Sequence, residues 1–255
     1  MKHLYLLIVL LLLGSTYAKT TNDTIFFRKA GVMIAKRSIK TIDLESKTVK
    51  RPFANIPQVT ICTQVWTAKN LDITAYSDGT PIPQVTDPTE WANLTTGAWC
   101  YYNNDQANNA VYGKLYNWYA AAGIYDAASL NTPTLRKKLA PAGWHVPTDA
   151  EWTTLTTCLG GKSVAGGKMK ETGTAHWQSP NTDATNSSGF SGLPGAYRYP
   201  IGSFSPIGGY GYWWSSSETS AKNGWYCNLY YESGHASGSG SGNKIVGFSV
   251  RCLKD

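Results

Sequence analysis

Charge is scarce in this sequence. Asp, Glu, Lys and Arg together make up 15% of its 255 residues, too few for a helical bundle or coiled coil, whose solvent faces draw heavily on Glu, Lys and Arg. Long apolar runs are missing as well: none approaches the ~20 residues that a membrane-spanning helix needs. The five cysteines include no Cys-x-x-Cys pair, and no Cys/His spacing suits zinc. Three catalytic signatures are absent too: the Gly-x-Ser-x-Gly elbow, His-Glu-x-x-His and the phosphate-cradling P-loop. What the chain does have is aromatic residues and glycine, with 10 Trp, 16 Tyr and 25 Gly. That aromatic content excludes disorder. The glycine points to a packed domain with much irregular backbone.

The net charge of +7 is unevenly placed. Arg28, Lys29, Lys36, Arg37, Lys40, Lys47, Lys50 and Arg51 face only Asp43 and Glu45, whereas residues 59–255 carry 13 basic and 13 acidic side chains. A nucleic-acid binder concentrates its charge on the folded domain. Here it sits on an N-terminal arm, so no nucleic-acid partner is expected.

The chain opens Met1-Lys2-His3, continues with a largely aliphatic stretch from Leu4 to Leu13, and then reads Gly14-Ser15-Thr16-Tyr17-Ala18. A positive start, a short apolar core and a small-residue site form a secretory leader, here residues 1–18. The protein is therefore expected outside the cytoplasm, periplasmic, secreted or at the cell surface, with no membrane span. Oxidising compartments favour disulfides. Cys62, Cys100, Cys158, Cys227 and Cys252 allow at most two bridges and leave one thiol, for which Cys227 is the candidate.

Residues 19–58 read as a separate segment, with two short strands around Ala30-Gly31 and a linker marked by Pro52 and Pro57. Beyond it, Val59–Trp66 alternates as a strand. Leu115, Trp118, Tyr119 and Ala122 share one helical face, predicting a helix over Tyr112–Ala122 stopped by Gly123. Pro147-Thr148-Asp149-Ala150-Glu151-Trp152 places a capping box at the start of a second helix that ends at Gly160-Gly161. Capping accounts for Asp149 and Glu151 without a catalytic role. After Gly189 the pattern turns to strands, over 190–197, 210–216, 225–231 and 247–252.

Five stretches carry a resemblance. They are Val59-Thr60-Ile61-Cys62-Thr63-Gln64-Val65-Trp66 with Lys69-Asn70-Leu71; Tyr112-Gly113-Lys114-Leu115-Tyr116-Asn117-Trp118-Tyr119; Leu139-Ala140-Pro141-Ala142-Gly143-Trp144-His145-Val146-Pro147 running into the capping box; Gly211-Tyr212-Trp213-Trp214-Ser215-Ser216; and Gly247-Phe248-Ser249-Val250-Arg251-Cys252. Together they resemble the Fibrobacter succinogenes major paralogous domain family over residues 59–255. The resemblance implies an α+β, C-type-lectin-like fold with two helices, small antiparallel sheets and long loops, preceded by a short N-terminal β segment. It also implies the bridges Cys62–Cys158 and Cys100–Cys252. Formylglycine-generating enzymes are similar to this superfamily, but their activity needs two closely placed cysteines, and Cys227 and Cys252 are far apart in sequence. No enzyme and no cofactor is expected. His145 sits in a structural turn, and His176 and His235 lie in loops. Asn103, Asn104, Asp105, Asn108 and Asn109 offer oxygen ligands but a single carboxylate, so no metal site is assigned.

The functional expectation rests on Tyr226–Val246. Tyr226, Asn228, Tyr230, Tyr231, Ser233, His235, Ser237, Ser239 and Ser241 are the residue types that recognition loops favour, since Tyr gives rigid contact area while Ser and Asn adapt their hydrogen bonds. Trp225, Leu229 and Phe248 serve as anchors. Only Glu232 and Lys244 in this segment lie outside what mutation of adenines in Asn codons can encode, as in the retroelement-diversified relatives of the same superfamily. The expected function is binding of a surface ligand, protein or glycan. The alternative is a structural surface protein with the Trp motifs as core.

Overall fold

The computed structural model describes residues 24–29, 32–38 and 56–255. The leader expected at 1–18 and most of the N-terminal segment lie outside the described residues. The chain divides into two compact units, Met1–Ala54 and Asn55–Asp255. In the first, β1 (Thr24–Lys29) and β2 (Val32–Ser38) pair antiparallel, with a register shift between Phe27 and Arg28.

The second unit begins with a hairpin. Strands β3 (Gln58–Ile61) and β4 (Gln64–Thr67) are joined by a turn in which Cys62 takes a φ of +52°. Short elements follow: α1 (Pro88–Ala92), β5 (Trp99–Cys100), α2 (Asn109–Tyr112), β6 (Leu115–Tyr116), α3 (Trp118–Ala121), α4 (Ala127–Asn131) and β7 (Trp144–His145). The helix expected over Tyr112–Ala122 is therefore two helical turns separated by a strand. Gly113, at φ +70°, breaks it, and Leu115–Tyr116 pairs with Trp99–Cys100 instead.

The capping box is present. Thr148 Oγ1 accepts from the Glu151 amide at 3.3 Å and Glu151 Oε2 accepts from the Thr148 amide at 2.7 Å, opening α5 (Asp149–Cys158). Trp152 and Leu155 are its buried face. Gly160 and Gly161, at φ +100° and +94°, end it. The next helix, α6 (Lys162–Met169), is absent from the sequence reading because Gly166-Gly167 lies inside it. Those glycines let the turn at Gly234-His235 approach: a Cβ on Gly166 would lie 2.2 Å from the His235 carbonyl oxygen, and the Gly167 amide donates to Gly234 O at 3.0 Å.

Strands β8 (Tyr210–Glu218), β9 (Asn223–Tyr230) and β10 (Ala236–Asn243) form an antiparallel sheet in the order β10-β9-β8. Strand β11 (Leu253–Lys254) enters the other main sheet between β4 and β7, in the order β3-β4-β11-β7. The chain over 190–197 and 247–252 makes isolated bridges only, such as Tyr116–Phe248 and Trp213–Ser249, where strands were expected. The result is a mixed α/β unit of short helices and small antiparallel sheets.

The core is tryptophan-rich. Trp66, Trp152, Trp177, Trp213 and Phe190 pack with Leu155, Met169, Cys227 and Leu229, and the rings of Trp66 and Trp152 lie 4.6 Å apart. Trp118, Trp144 and Trp214 are buried too. Two arginines are buried with them, and carbonyl oxygens satisfy both. Arg251 donates to Thr67 O, Phe190 O and Asn70 Oδ1 at 2.7–3.0 Å and lies over the Phe190 ring. Arg198 donates to Val85 O, Thr86 O and Gly202 O at 2.6–2.9 Å and lies over Trp91. Carbonyl acceptors and ring faces replace the hydration each guanidinium loses.

Cys62 and Cys158 are bridged, tying the β3–β4 turn to the end of α5. The second expected bridge is not formed: Cys100, Cys252 and Cys227 are all free and buried. Cys100 lies in β5 and packs with Val85, Trp91 and Leu115, whereas Cys252 follows Arg251 into the other sheet. Burial pushes all three thiols up to about 12.

Candidate functional site: a tyrosine face

The β8–β9–β10 sheet has two unlike faces because its strands alternate. In β8, Trp213 and Ser215 point to the core, and Tyr210, Tyr212 and Trp214 point the other way. In β9, Cys227 and Leu229 face the core and Tyr226, Asn228 and Tyr230 do not. The register sets Tyr210 opposite Tyr230, Tyr212 opposite Asn228 and Trp214 opposite Tyr226. The Tyr210 and Tyr230 rings stack at 4.6 Å and 16°. Tyr212 meets Tyr226 edge-on at 5.3 Å and stacks on Phe248 at 4.6 Å. Tyr197 touches Tyr212 and Tyr199, and its hydroxyl donates to that of Tyr199 at 3.0 Å.

With Tyr210 against Tyr212 at 5.7 Å, these contacts join six tyrosines into one ring-to-ring patch whose members are half-buried, with Tyr199 exposed at its edge. Burial raises the pKa of Tyr212, Tyr226 and Tyr197 above the ordinary tyrosine value, so their hydroxyls stay neutral donors and acceptors. At the rim, Glu232 accepts from Tyr230 OH at 2.5 Å and Tyr231 OH at 2.8 Å. Those two bonds hold its carboxylate below the usual range and raise the pKa of both phenols.

The β10 segment is a strand, where a tolerant Gly/Ser loop was expected. A register shift between Ser237 and Gly240 changes which residues face outward. Gly240 and Gly242 then lie beneath the Tyr226 ring. A Cβ on Gly240 would sit 2.2 Å from Tyr226 Cε2, and one on Gly242 3.1 Å from Cε1. The strand is fixed at its far end by Lys244, which is buried, paired with Glu218 and seated over Trp118. It is fixed at its near end by Lys170, whose Nζ donates to Thr182 O, Tyr230 O and Ser233 O at 2.7–3.0 Å.

The nine residues singled out in sequence are not one surface. Tyr226, Asn228, Tyr230 and Ser237 share the tyrosine face, where Ser237 Oγ donates to Asn228 Oδ1. Tyr231 follows the end of β9 and packs partly against the core, with its ring edge-on to Tyr230 at 4.8 Å. Ser233 and His235 form the turn, with Ser233 Oγ accepting from the His235 amide at 3.1 Å. Ser239 lies in β10 at the register shift. Ser241 pairs with Trp225 and shares a hydrogen bond of 3.0 Å with Thr219. Of the three anchors, Leu229 and Phe248 are buried, but Trp225 is only half-buried. Tyr197, Tyr199, Tyr210 and Tyr212 were missed, although the alternation Tyr210-Gly211-Tyr212-Trp213-Trp214 carries the signal for two of them.

The Asn-rich loop engages backbone: Asp105 accepts from the Ala107 amide, Asn108 donates to Tyr102 O and Asn104 donates to Thr86 O of a neighbouring segment. Among the described residues no three His, Cys, Asp or Glu side chains converge as metal ligands.

Against known families, the profile described as Fibrobacter succinogenes major domain matches residues 59–254. The chain belongs to this family. Among curated proteins and among solved structures, nothing matches it. Membership accounts for the motifs already placed. In this Fibrobacter succinogenes major domain, Asn70 accepts from Trp213 Nε1 and Arg251 Nε at 2.8 Å each and donates to Tyr112 O. One side chain thus links four of the five stretches that carry the resemblance. Among the described residues no helix is long and apolar enough to cross a membrane.

Proposed function

We propose that this protein is an exported ligand-binding domain and that the tyrosine face of the β8–β9–β10 sheet is its contact surface. The observation that carries the reading is the contiguous patch of Tyr197, Tyr199, Tyr210, Tyr212, Tyr226 and Tyr230, set on a rigid sheet and open to solvent at its edge. Rigid aromatic area bound to a scaffold costs little entropy on association. Tyrosine hydroxyls with Asn228 and Ser237 suit a neutral polar partner, glycan or protein. The Cys62–Cys158 bridge supports a location outside the cytoplasm. The pairing of β11 with β4, which brings the two ends of the unit together, supports the C-type-lectin-like form of the fold. Three buried neutral thiols offer no nucleophile, which supports binding over catalysis. Retroelement diversification is a finer form of the same proposal. It assigns change to side chains free of the sheet's packing, such as Ser241 and His235, and C- or T-ending codons at those positions are its test.

The binding experiment screens immobilised protein against a polysaccharide array and cell-surface protein extracts. Retention that drops at least tenfold in the Tyr199→Ala/Tyr230→Ala variant, with unchanged circular dichroism, is the expected result. Equal retention by the variant overturns the assignment.

A further inference from the structure

Away from the tyrosine face, a cavity of about 330 Å³ opens between the end of α3, the chain leading to β7, and β8. That volume is at the lower end of the ~300–1,000 Å³ range of small-ligand pockets. Its floor is apolar, with Ala121, Leu139 and Val146. Arg136, Lys137, Lys138, His145, Thr148 and Ser216 also line the cavity. Residues 59–255 are charge-balanced, and Lys114, Lys170, Arg198, Lys244 and Arg251 are buried. Against that background, Arg136-Lys137-Lys138 is the single run of three consecutive cations in residues 59–255. Lys137 is neutralised by Asp78 at 2.7 Å. Among the described residues, Arg136 and Lys138 have no acidic partner. Arg136 Nε donates only to the Ser129 carbonyl, at 3.4 Å, which leaves its terminal nitrogens for a guest. His145 borders the cavity, but both of its ring nitrogens are already engaged. Its Nε2 meets Glu151 at 2.9 Å and its Nδ1 meets Asp255 at 2.7 Å, and neither carboxylate belongs to the cavity lining.

We propose that this cavity is a second binding site, for a small organic acid whose carboxylate or phosphate group pairs with Arg136 and Lys138 while its body lies on the Leu139–Val146 floor. A planar guanidinium fork beside a mobile ammonium suits either anion. The site is separate from the tyrosine face and is tested separately. Calorimetric titration of the full protein with glucuronate, glucose 6-phosphate and glucose is the experiment, with NMR of the His145 ring as the positional readout. Saturable binding of one or both acids and not of glucose is expected, together with a shift of the His145 signals and at least tenfold weaker binding in the Arg136→Gln/Lys138→Gln variant. The acid that saturates distinguishes the carboxylate from the phosphate. The proposal is overturned by any of three results: no saturation by either acid up to about 10 mM (weaker than ~3 kcal/mol of binding), equal binding of glucose, or unchanged binding by the double variant.

Discussion

The ring of Tyr226 occupies the space where side chains on Gly240 and Gly242 would stand. Composition alone does not distinguish a Gly/Ser loop from a strand covered by an aromatic ring. The structure makes these glycines a seat. Gly240→Val is therefore expected to displace the Tyr226 ring, changing the near-ultraviolet circular dichroism and lowering ligand retention at least tenfold. Ser241→Val, at an exposed position of the same strand, is expected to leave both unchanged. At the core, Trp152 is fully buried against Trp66 and Phe190. Trp152→Ala should cost about 3–5 kcal/mol in urea unfolding. Burial of the tryptophans was legible because each sits beside a helix or turn signal. The four missed tyrosines were not, because their grouping depends on a register between strands that local sequence does not specify.

Among the elements, α5 shows how much a local signal can fix. Thr148 and Glu151 predict its first turn, and Thr148→Ala should cost about 1 kcal/mol by thermal denaturation. The same turn carries a titratable knot, since Glu151 also meets His145, which in turn meets Asp255. Burial alone would lower the His145 pKa, but the hydrogen bonds and charges of Asp255 and Glu151 outweigh it and hold it above 6.5. Its contribution to stability is therefore full below pH 6.5 and is lost as pH rises through the raised value. Glu151 works in the opposite direction. Burial raises its pKa, but its bonds to Thr148 and His145 bring it below 4.5, so its contribution is lost as pH falls through that lowered value. The melting temperature is expected to decline as the pH is raised from 6.5 through the raised His145 value, and His145→Gln should flatten that decline. A slope unchanged in the variant would place the titration elsewhere. Helix α6 and the broken Tyr112–Ala122 stretch were illegible for one reason. A glycine inside a helical pattern does not by itself say whether the helix continues: Gly166-Gly167 permits a close contact in a continuing helix, whereas Gly113, inside the predicted Tyr112–Ala122 helix, ends one.

At the scale of the whole molecule, the Cys62–Cys158 bridge closes a loop of 96 residues of separation. Its reduction should cost about 2–4 kcal/mol. Thiol titration without reductant is expected to find three reactive groups in the denatured protein and none reacting quickly in the native one, since Cys100, Cys227 and Cys252 are buried. Five reactive groups after denaturation would remove the bridge. The mixed α/β character and the membership of the family were legible from ordered motifs, whereas the second disulfide, implied by resemblance alone, was not formed. The sheet order β3-β4-β11-β7 carries one more consequence. Its interior position is filled by Leu253–Lys254, and the adjacent Arg251 plugs the layer beside Phe190. A ribosome therefore delivers both flanks of this sheet long before the piece that joins them. Nascent chains arrested before Leu253 should stay protease-sensitive from residue 56 onward, and resistance should appear abruptly once that residue has cleared the exit tunnel.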